Sequence, residues 1–421
     1  MRRGRHLLRR LRRLLRTVLR GEHLRRVVHL SELGPLHVTP VGSDGSDAQT
    51  ARAASRLPAL DWMRGLVMVL MAIDHSSDAF NAGRLFTDSA RIFHAGSALP
   101  AGQFLTRWIT HICAPTFLFL AGTSLAFTVS RQVAAGDRPR DIDRYVLVRG
   151  LVIALFELWI SFTVIGHGRL VLQVLYGIGT SYMLMAPLRR LPDRVVPIVA
   201  LGFIAASELL VRWATSAQVA DTWPVALLLT GGFRGRVIVA YPTLHWLAIL
   251  LLGWSWGRRL VTTPASRETA ARDATRAGLV GLAIFVVLRA ANGYGNMLLL
   301  RESSALVQWL HVSKYPPSIT YDALELGLMA LILAALFRLA ERRRAISPNS
   351  VLMVLGQTPM FFYLLHFPLL VGGSRLMGVN EKLGLGATYL GAGAAVALLY
   401  PVCRWYRGYK AAHRTGWPRF I

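Results

Sequence analysis

The sequence predicts an all-α protein, a polytopic bundle of about ten transmembrane helices with both termini in the cytoplasm. Of its 421 residues, 53% are hydrophobic and only 17% are charged, whereas about 25% of the residues in a soluble domain are charged. The apolar residues fall in long blocks. These blocks indicate one helical membrane domain.

Ten apolar segments come near the roughly 20 residues that a helix needs to cross the hydrocarbon core of a bilayer. These predicted spans are 60–80, 105–130, 145–165, 170–187, 194–212, 237–257, 277–295, 319–340, 350–373 and 383–405. The stretch from Trp223 to Gly231 is too short to span and is expected to be a re-entrant or interfacial piece. Pro359 is expected to kink the ninth span.

The basic residues give the predicted orientation. Of 48 Lys and Arg residues, 34 lie in the segments assigned to the cytoplasm and 11 in the outer loops, as the positive-inside rule requires. A net charge of +26 could indicate nucleic-acid binding. The basic residues lie between apolar blocks, however, so membrane topology explains them better and no nucleic-acid partner is expected.

Three parts of the chain are distinguished. Residues 1–56 form a basic, Arg-rich extension and linker, residues 57–410 the membrane domain, and residues 411–421 a cytoplasmic tail. The extension is compatible with a helix on an anionic membrane surface, with a solvated tail, or with a start codon assigned too far upstream. It lacks the uninterrupted apolar core of a signal peptide. Cys113 and Cys403 indicate neither a disulfide framework nor a metal site.

Ionisable residues inside a membrane mark function or a buried pair, and they cluster at the outer end of the first span. Asp74 and Asp78 share one helix face, and His75 adjoins both. A neighbouring carboxylate can fix the tautomer of an imidazole and raise its basicity, as a general base requires. Arg64 lies on the same stripe as His75, roughly 16 Å nearer the cytoplasm.

Further polar residues reach the same outer level. They are His94, His111, His245, Arg289, Asn292, His311, Lys314 and His366, with His167 in a short loop. A lone interfacial histidine is more often a hydrogen-bonding residue than a catalyst, and His167 and His245 are interpreted in that way. No metal-binding spacing such as HxxxH or HExxH occurs, so no metal is expected. Lys314, beside the predicted start of the eighth span, is a candidate site for an anion or a carbonyl oxygen, although a rigid entry turn explains the segment as well.

Several motifs, in order, resemble the bacterial relatives of heparan-alpha-glucosaminide N-acetyltransferase. They are Leu60-Asp-Trp-Met-Arg64-Gly65, Met71-Ala-Ile-Asp74-His75, the segment from Phe104 to Pro115, Leu120 to Ser124, Tyr241-Pro242, Arg289-Ala-Ala-Asn292-Gly-Tyr294-Gly, Lys314-Tyr315-Pro-Pro-Ser318, and Gly356 through His366. Together they extend over about residues 57–405.

The resemblance implies a transmembrane acyltransferase that takes acetyl from cytosolic acetyl-CoA. His75 corresponds to the catalytic base of similar enzymes that O-acetylate bacterial surface glycans. In the lysosomal enzyme, the position similar to His75 looks like an Asn, and the catalytic His lies in the following loop. His94 is the nearest candidate for that His in this chain. His245 and His311 depart from the Pro and Asn of relatives, and a bacterial protein has no heparan to acetylate.

The resulting hypothesis is a bacterial inner-membrane, multi-pass enzyme that acetylates an amine or hydroxyl of a glycan or glycolipid at the extracytoplasmic face. His75, assisted by Asp74, is the predicted base. Residues predicted to bind donor or acceptor are Arg64, Asp78, His94, His111, Arg289, Asn292, Tyr294, Lys314, Tyr315 and His366. Lys314 or Asn292 is the expected oxyanion donor. The rival hypothesis is a proton-coupled permease or glycolipid exporter. A homo-oligomer is compatible with either.

Overall fold

The computed structural model describes residues 57–165, 168–262, 267–342 and 347–413. Its helices are α1 (Pro58–Phe80), α2 (Ala101–Trp108), α3 (Cys113–Ala134), α4 (Pro139–Ile160), α5 (Val174–Leu188), α6 (Val195–Ser216), α7 (Thr243–Thr262), α8 (Arg267–Ala291), α9 (Leu306–Leu310), α10 (Ile319–Arg342), α11 (Val351–Gln357), α12 (Pro359–Leu376) and α13 (Leu385–Ala412). The strands are β1 (Leu170–Leu172), β2 (Gly232–Arg234) and β3 (Val237–Val239). The predicted all-α helix bundle is confirmed. The predicted extension of residues 1–56 lies outside the described residues.

Each predicted span overlaps a helix or a pair of helices. Within the described ranges, six helices are long and apolar enough to cross a membrane, and seven if the bent pair α11–α12 counts as one span. Four charged residues interrupt α1, Arg258 and Arg259 lie near the end of α7, and α5 has only 15 residues. The count of ten spans and the orientation of the termini therefore stay predictions.

Two predicted spans begin with a strand in the structure, and a third is broken. The fourth and sixth were expected to start at residues 170 and 237, but strands β1 and β3 occupy these positions and pair in parallel. The β-branched run Val237-Ile238-Val239 favours an extended backbone. Gly231, just before β2, and Gly232, its first residue, have positive φ. The second span is broken into α2 and α3.

Two segments are expected to depart from a regular spanning helix. Trp223–Val225 forms a short helical turn that continues into a π-helix, Ala226–Thr230. The ninth span bends by 100° between α11 and α12. Pro359 is the first residue of α12, where its missing N–H and fixed φ suit a helix start. The kink predicted at Pro359 is confirmed.

Helix α1 lies inside the bundle and carries four of the twelve candidate site residues, Arg64, Asp74, His75 and Asp78. It packs against α3, α10, α11, α12 and α13. Its contact with α11 is a backbone contact, since a Cβ atom on Gly65 would lie 1.9 Å from the Leu352 carbonyl oxygen. A Cβ on Gly356 would lie 1.8 Å from the Asp61 oxygen. Small residues that allow such close approach are typical of membrane helix interfaces.

We expect the substitution Gly65→Ala to destabilise the protein, because the added methyl group meets backbone that cannot rotate away. Overpacking of this kind costs about 1–3 kcal/mol. The measurement is the thermal denaturation midpoint in mild detergent. Gly202→Ala in α6 is the matched control, since a Cβ there meets nothing within 4 Å and alanine favours the helix. A midpoint for Gly65→Ala equal to that of Gly202→Ala would contradict the close contact.

Candidate active site

A pair of buried histidines joins α1 to α12. His75 Nδ1 lies 2.9 Å from His366 Nε2, and His366 Nδ1 lies 2.9 Å from the Phe362 carbonyl oxygen. A carbonyl oxygen only accepts hydrogen bonds, so His366 carries its proton on Nδ1 and its Nε2 accepts one from His75 Nδ1. In this arrangement of neutral rings, His75 Nε2 holds an unprotonated lone pair. This geometry suits a general base.

Aromatic rings hold both imidazoles in place. Phe367 stacks on His75 with ring centroids 3.6 Å apart, and Phe362 stacks on His366 at 4.7 Å. Tyr363 presents its ring at an angle to both histidines, at 5.8 Å and 5.6 Å. All three aromatic residues come from the first three turns of α12. The rings therefore fix the orientation of His75 from one side of the helix pair.

Asp74 does not bind His75, contrary to the expected assistance of the base. Its carboxylate accepts hydrogen bonds from Arg107 at 2.7 Å and Thr110 at 2.9 Å, and Arg84 lies at 3.1 Å. Arg84 Nε also lies 2.6 Å from Asp78. The guanidinium groups of Arg84 and Arg107 neutralise the Asp74 and Asp78 carboxylates. Without them, these carboxylates would be largely buried charges without a partner, which is costly. The residue that orients His75 is His366.

The same network continues into the loop between α1 and α2. Arg107 donates to Asp88 Oδ2 at 2.8 Å, and His111 Nε2 lies 3.3 Å from the same oxygen. Burial alone would raise the pKa of the Asp88 carboxyl, but Arg107 and His111 hold that pKa well below its usual range. Asp88 is thus a fixed negative charge that holds the Arg107 side chain in position.

The Lys314 segment lies against this network. The backbone N–H groups of Lys314 and Tyr315 donate to the Asp88 carbonyl oxygen at 2.8 and 3.2 Å, and Arg107 donates to the Tyr315 hydroxyl at 3.4 Å. Lys314 is buried. Ser318 caps α10 by accepting from the Tyr321 N–H at 3.0 Å, as expected for the start of a helix.

Two cavities are lined by residues of α1 and α12, the helices that carry the histidine pair. The first has a volume of about 160 Å³ and is mostly apolar; its lining includes Arg64, Met68, Arg149, Tyr363 and Lys410. The second has a volume of about 260 Å³ and is mostly polar; it is lined by Asp78, Val164, Gln173, Phe367, Val371, Arg375, Asn380 and Glu381. Along α1, Met68 and Asp78 precede and follow His75, and along α12 Tyr363 and Phe367 flank His366. The histidine pair therefore lies at a level of α1 and α12 between the residues that line the two cavities, although neither histidine lines a cavity itself. We call this part of the two helices the wall.

Several predicted site residues are not brought to this wall. Arg289 is buried and donates to the carbonyl oxygens of Trp309, Leu299, Gln308 and His311 and to the Asn296 side chain. The Asn292 side chain donates to the Arg301 carbonyl oxygen and accepts a hydrogen bond from the Arg301 N–H. The Tyr294 hydroxyl donates to the Ala205 carbonyl. These side chains hold the segment between α8 and α9. That they contact substrate stays a prediction, and these contacts give it no support.

The other histidines differ in environment. His94 is exposed in the loop between α1 and α2. His311 Nε2 lies 2.8 Å from the Thr87 carbonyl oxygen, a structural role. His245 is buried in α7 beside Phe203. His167 lies outside the described residues.

Four residues of the site were not singled out from the sequence. Arg107 and Tyr363 stand inside motifs that carry the family resemblance, so the resemblance was a usable signal for them. Arg84 and Asp88 lie in a polar loop, where nothing in the sequence distinguishes them from solvated charges.

One arrangement could in principle hold a cation. Ligand atoms of Asp74, His75 and Asp78 lie within 4.8 Å of one another. Both carboxylates already pair with Arg84, and Asp74 also pairs with Arg107. A metal ion would have to compete with two guanidinium groups, so these donors do not form a favourable metal site.

The chain matches a family of known proteins. The family model described as heparan-alpha-glucosaminide N-acetyltransferase, catalytic, matches residues 56–289, more than half of the chain. The match includes α1 with His75 and the loop with Asp88, and it ends before Lys314 and His366. No curated protein matches the chain.

Proposed function

The chain belongs to the heparan-alpha-glucosaminide N-acetyltransferase family, and from that premise we propose that it transfers acetyl from cytosolic acetyl-CoA to an amine or hydroxyl of a glycan or glycolipid at the extracytoplasmic face. The coarser statement, a multi-pass transmembrane acetyltransferase, follows from the family and the membrane-capable helices. The proposed location is the bacterial inner membrane. The observation that carries the proposal is the histidine pair between two chemically different cavities.

The first cavity is proposed to bind the donor. Its lining combines the basic side chains of Arg64, Arg149 and Lys410 with many apolar ones. Basic groups suit the phosphates of coenzyme A, and an apolar lining suits the pantetheine arm. Arg64 and Lys410 lie near the start of α1 and the end of α13, the end of the bundle predicted to face the cytoplasm. The thioester would then reach the wall at Tyr363.

The second cavity is proposed to bind the acceptor. Its lining has two carboxylates, Asp78 and Glu381, with Arg375 and the amides of Gln173 and Asn380. Such a set offers several hydrogen-bond donors and acceptors, as recognition of a sugar with many hydroxyl groups requires. The cavity adjoins the C-terminal end of α1, which the predicted topology places at the extracytoplasmic face.

The proposed reaction is direct transfer at the wall. His75 Nε2 accepts a proton from the attacking amine or hydroxyl, which bonds to the thioester carbon. His366 keeps the proton of His75 Nδ1 in place and stabilises the imidazolium that forms. Asp74 acts on the guanidinium network and not on His75. Lys314 and Tyr315 bind that network near the acceptor side.

Acetyl-CoA binding and consumption by detergent-purified protein test the proposal. We expect saturable binding, and slow hydrolysis that accelerates when an amino-sugar acceptor such as glucosamine is added. Absence of acetyl-CoA binding would contradict the proposed function and favour the rival hypothesis of a permease.

We expect Arg64→Gln to raise the KM for acetyl-CoA about tenfold with little change in kcat. The reason is the loss of one charge-assisted bond, about 1.5–3 kcal/mol when buried and less here because Arg64 is half-buried. Arg131→Gln is the matched control, since Arg131 is an exposed arginine at the same end of the bundle, outside the first cavity. Equal KM values for the two variants would show that Arg64 does not contribute to binding of the donor.

A further inference from the structure

Tyr363 is a polar residue of the wall whose hydroxyl has no described function in the fold. The residue is 4% exposed, and its hydroxyl is buried without a hydrogen-bond partner among the described residues. A buried donor left unsatisfied costs about 1–3 kcal/mol, so native structures contain few of them. Retaining such a group is expected where its partner is a ligand.

The position of Tyr363 identifies the part of the ligand that it would meet. The residue lines the first cavity, and its ring contacts both His75 and His366. A phenol titrates near pH 10 in water, so its proton is present at neutral pH. Two other hydroxyls that line the first cavity are already used: Tyr182 donates to the Ala121 carbonyl at 3.1 Å and Thr358 to the Val354 carbonyl at 2.9 Å.

We propose that the Tyr363 hydroxyl donates a hydrogen bond to the thioester carbonyl oxygen of the donor and stabilises the oxyanion of the tetrahedral intermediate. This inference rests on the proposed function. Tyr363 takes the role of oxyanion donor that was expected for Asn292 or Lys314. Asn292 holds a loop elsewhere, and Lys314 does not line the first cavity.

The proposed step forms one bond and breaks one bond at the carbonyl carbon of the thioester. The acceptor atom forms a bond to the carbonyl carbon while His75 Nε2 takes its proton, and the carbonyl π electrons move onto the oxygen. Tyr363 donates to that oxygen and keeps its own proton. The carbonyl then re-forms, the C–S bond breaks, and the leaving thiolate takes the proton from His75. The products are the acetylated acceptor and coenzyme A with a free thiol.

The first test is Tyr363→Phe, which keeps the ring contacts and removes only the hydroxyl. We expect kcat to fall by about 10²–10³, the usual effect of losing one oxyanion donor, while the Kd for acetyl-CoA changes little. Tyr321→Phe is the matched control, because Tyr321 is also fully buried but donates to the His111 carbonyl at 2.9 Å. We expect the control to retain the wild-type kcat.

The second test separates catalysis from packing. Difluorotyrosine incorporated at position 363 preserves the shape of the residue and lowers the pKa of its phenol. We expect activity to be lost on the alkaline side at a lower pH than in wild type, because the ionised phenolate no longer donates. An unchanged pH profile together with full kcat for Tyr363→Phe would overturn this inference. If wild type itself transferred no acetyl group, the proposed function would fail instead.

Discussion

Replacing His75 by asparagine is expected to lower kcat for acetyl transfer by about 10²–10⁴, the usual contribution of a general base. The asparagine amide N–H can take the place of the imidazole Nδ1–H and keep the hydrogen bond to His366. The lone pair of Nε2 has no counterpart in the amide. Binding of acetyl-CoA, measured by calorimetry on the same preparations, is expected to change little, since His75 does not line the first cavity.

The matched control is His94→Ala, because the lysosomal relatives are expected to use a histidine of the following loop. Its exposed position in this chain predicts activity close to wild type. An active His75→Asn protein with an inactive His94→Ala protein would assign the base to His94 and refute the role of the histidine pair. His366→Ala, which removes the group that orients His75, is expected to lower kcat less than His75→Asn does.

The second large effect is expected for Arg107→Met. Arg107 is buried between Asp74 and Asp88, so its removal leaves one carboxylate with Arg84 alone and the other with His111. Breaking a buried ion pair in this way costs about 3–5 kcal/mol. We expect the variant to lose its monodisperse peak in size-exclusion chromatography and to denature at lower temperature than wild type.

A double variant identifies the cause of this effect. In Arg107→Met with Asp88→Asn, the unpaired charge is removed together with its partner, and part of the stability should return. Arg131→Met, at an exposed arginine, is the control for loss of positive charge. If Arg107→Met were as stable as Arg131→Met, the buried network would not be important for the fold.

Much of the fold could be predicted because membrane helices follow from local composition. Apolar length located the helical segments, and the proline at position 359 located the bend between α11 and α12. The strands β1 and β3 were missed because a short run of apolar, β-branched residues at the start of a span has no periodicity that distinguishes a strand from a helix. The charged end of α1 was recognisable because charges inside an apolar segment need a partner.

The partners themselves could not be predicted. His75 and His366 are 291 residues apart, and no periodicity within one helix indicates which face of another it meets. For the same reason Asp74 was assigned to its chain neighbour His75, while in the fold it binds Arg84 and Arg107. Arg289 and Asn292 resembled ligand-binding residues because a charge near a span end has two interpretations. Here they hold a loop that includes left-handed backbone at Asn292, Met297 and Leu298.

The most direct test of the central claim is the sidedness of transfer in sealed proteoliposomes. Radiolabelled acetyl-CoA is supplied outside, and glucosamine, which offers both an amine and hydroxyls, is either trapped inside or added outside. Because the two cavities are proposed to open to opposite faces, labelled product should form only when donor and acceptor are on opposite sides of the membrane. Product formed only when both are outside would contradict transfer across the wall that contains His75 and His366.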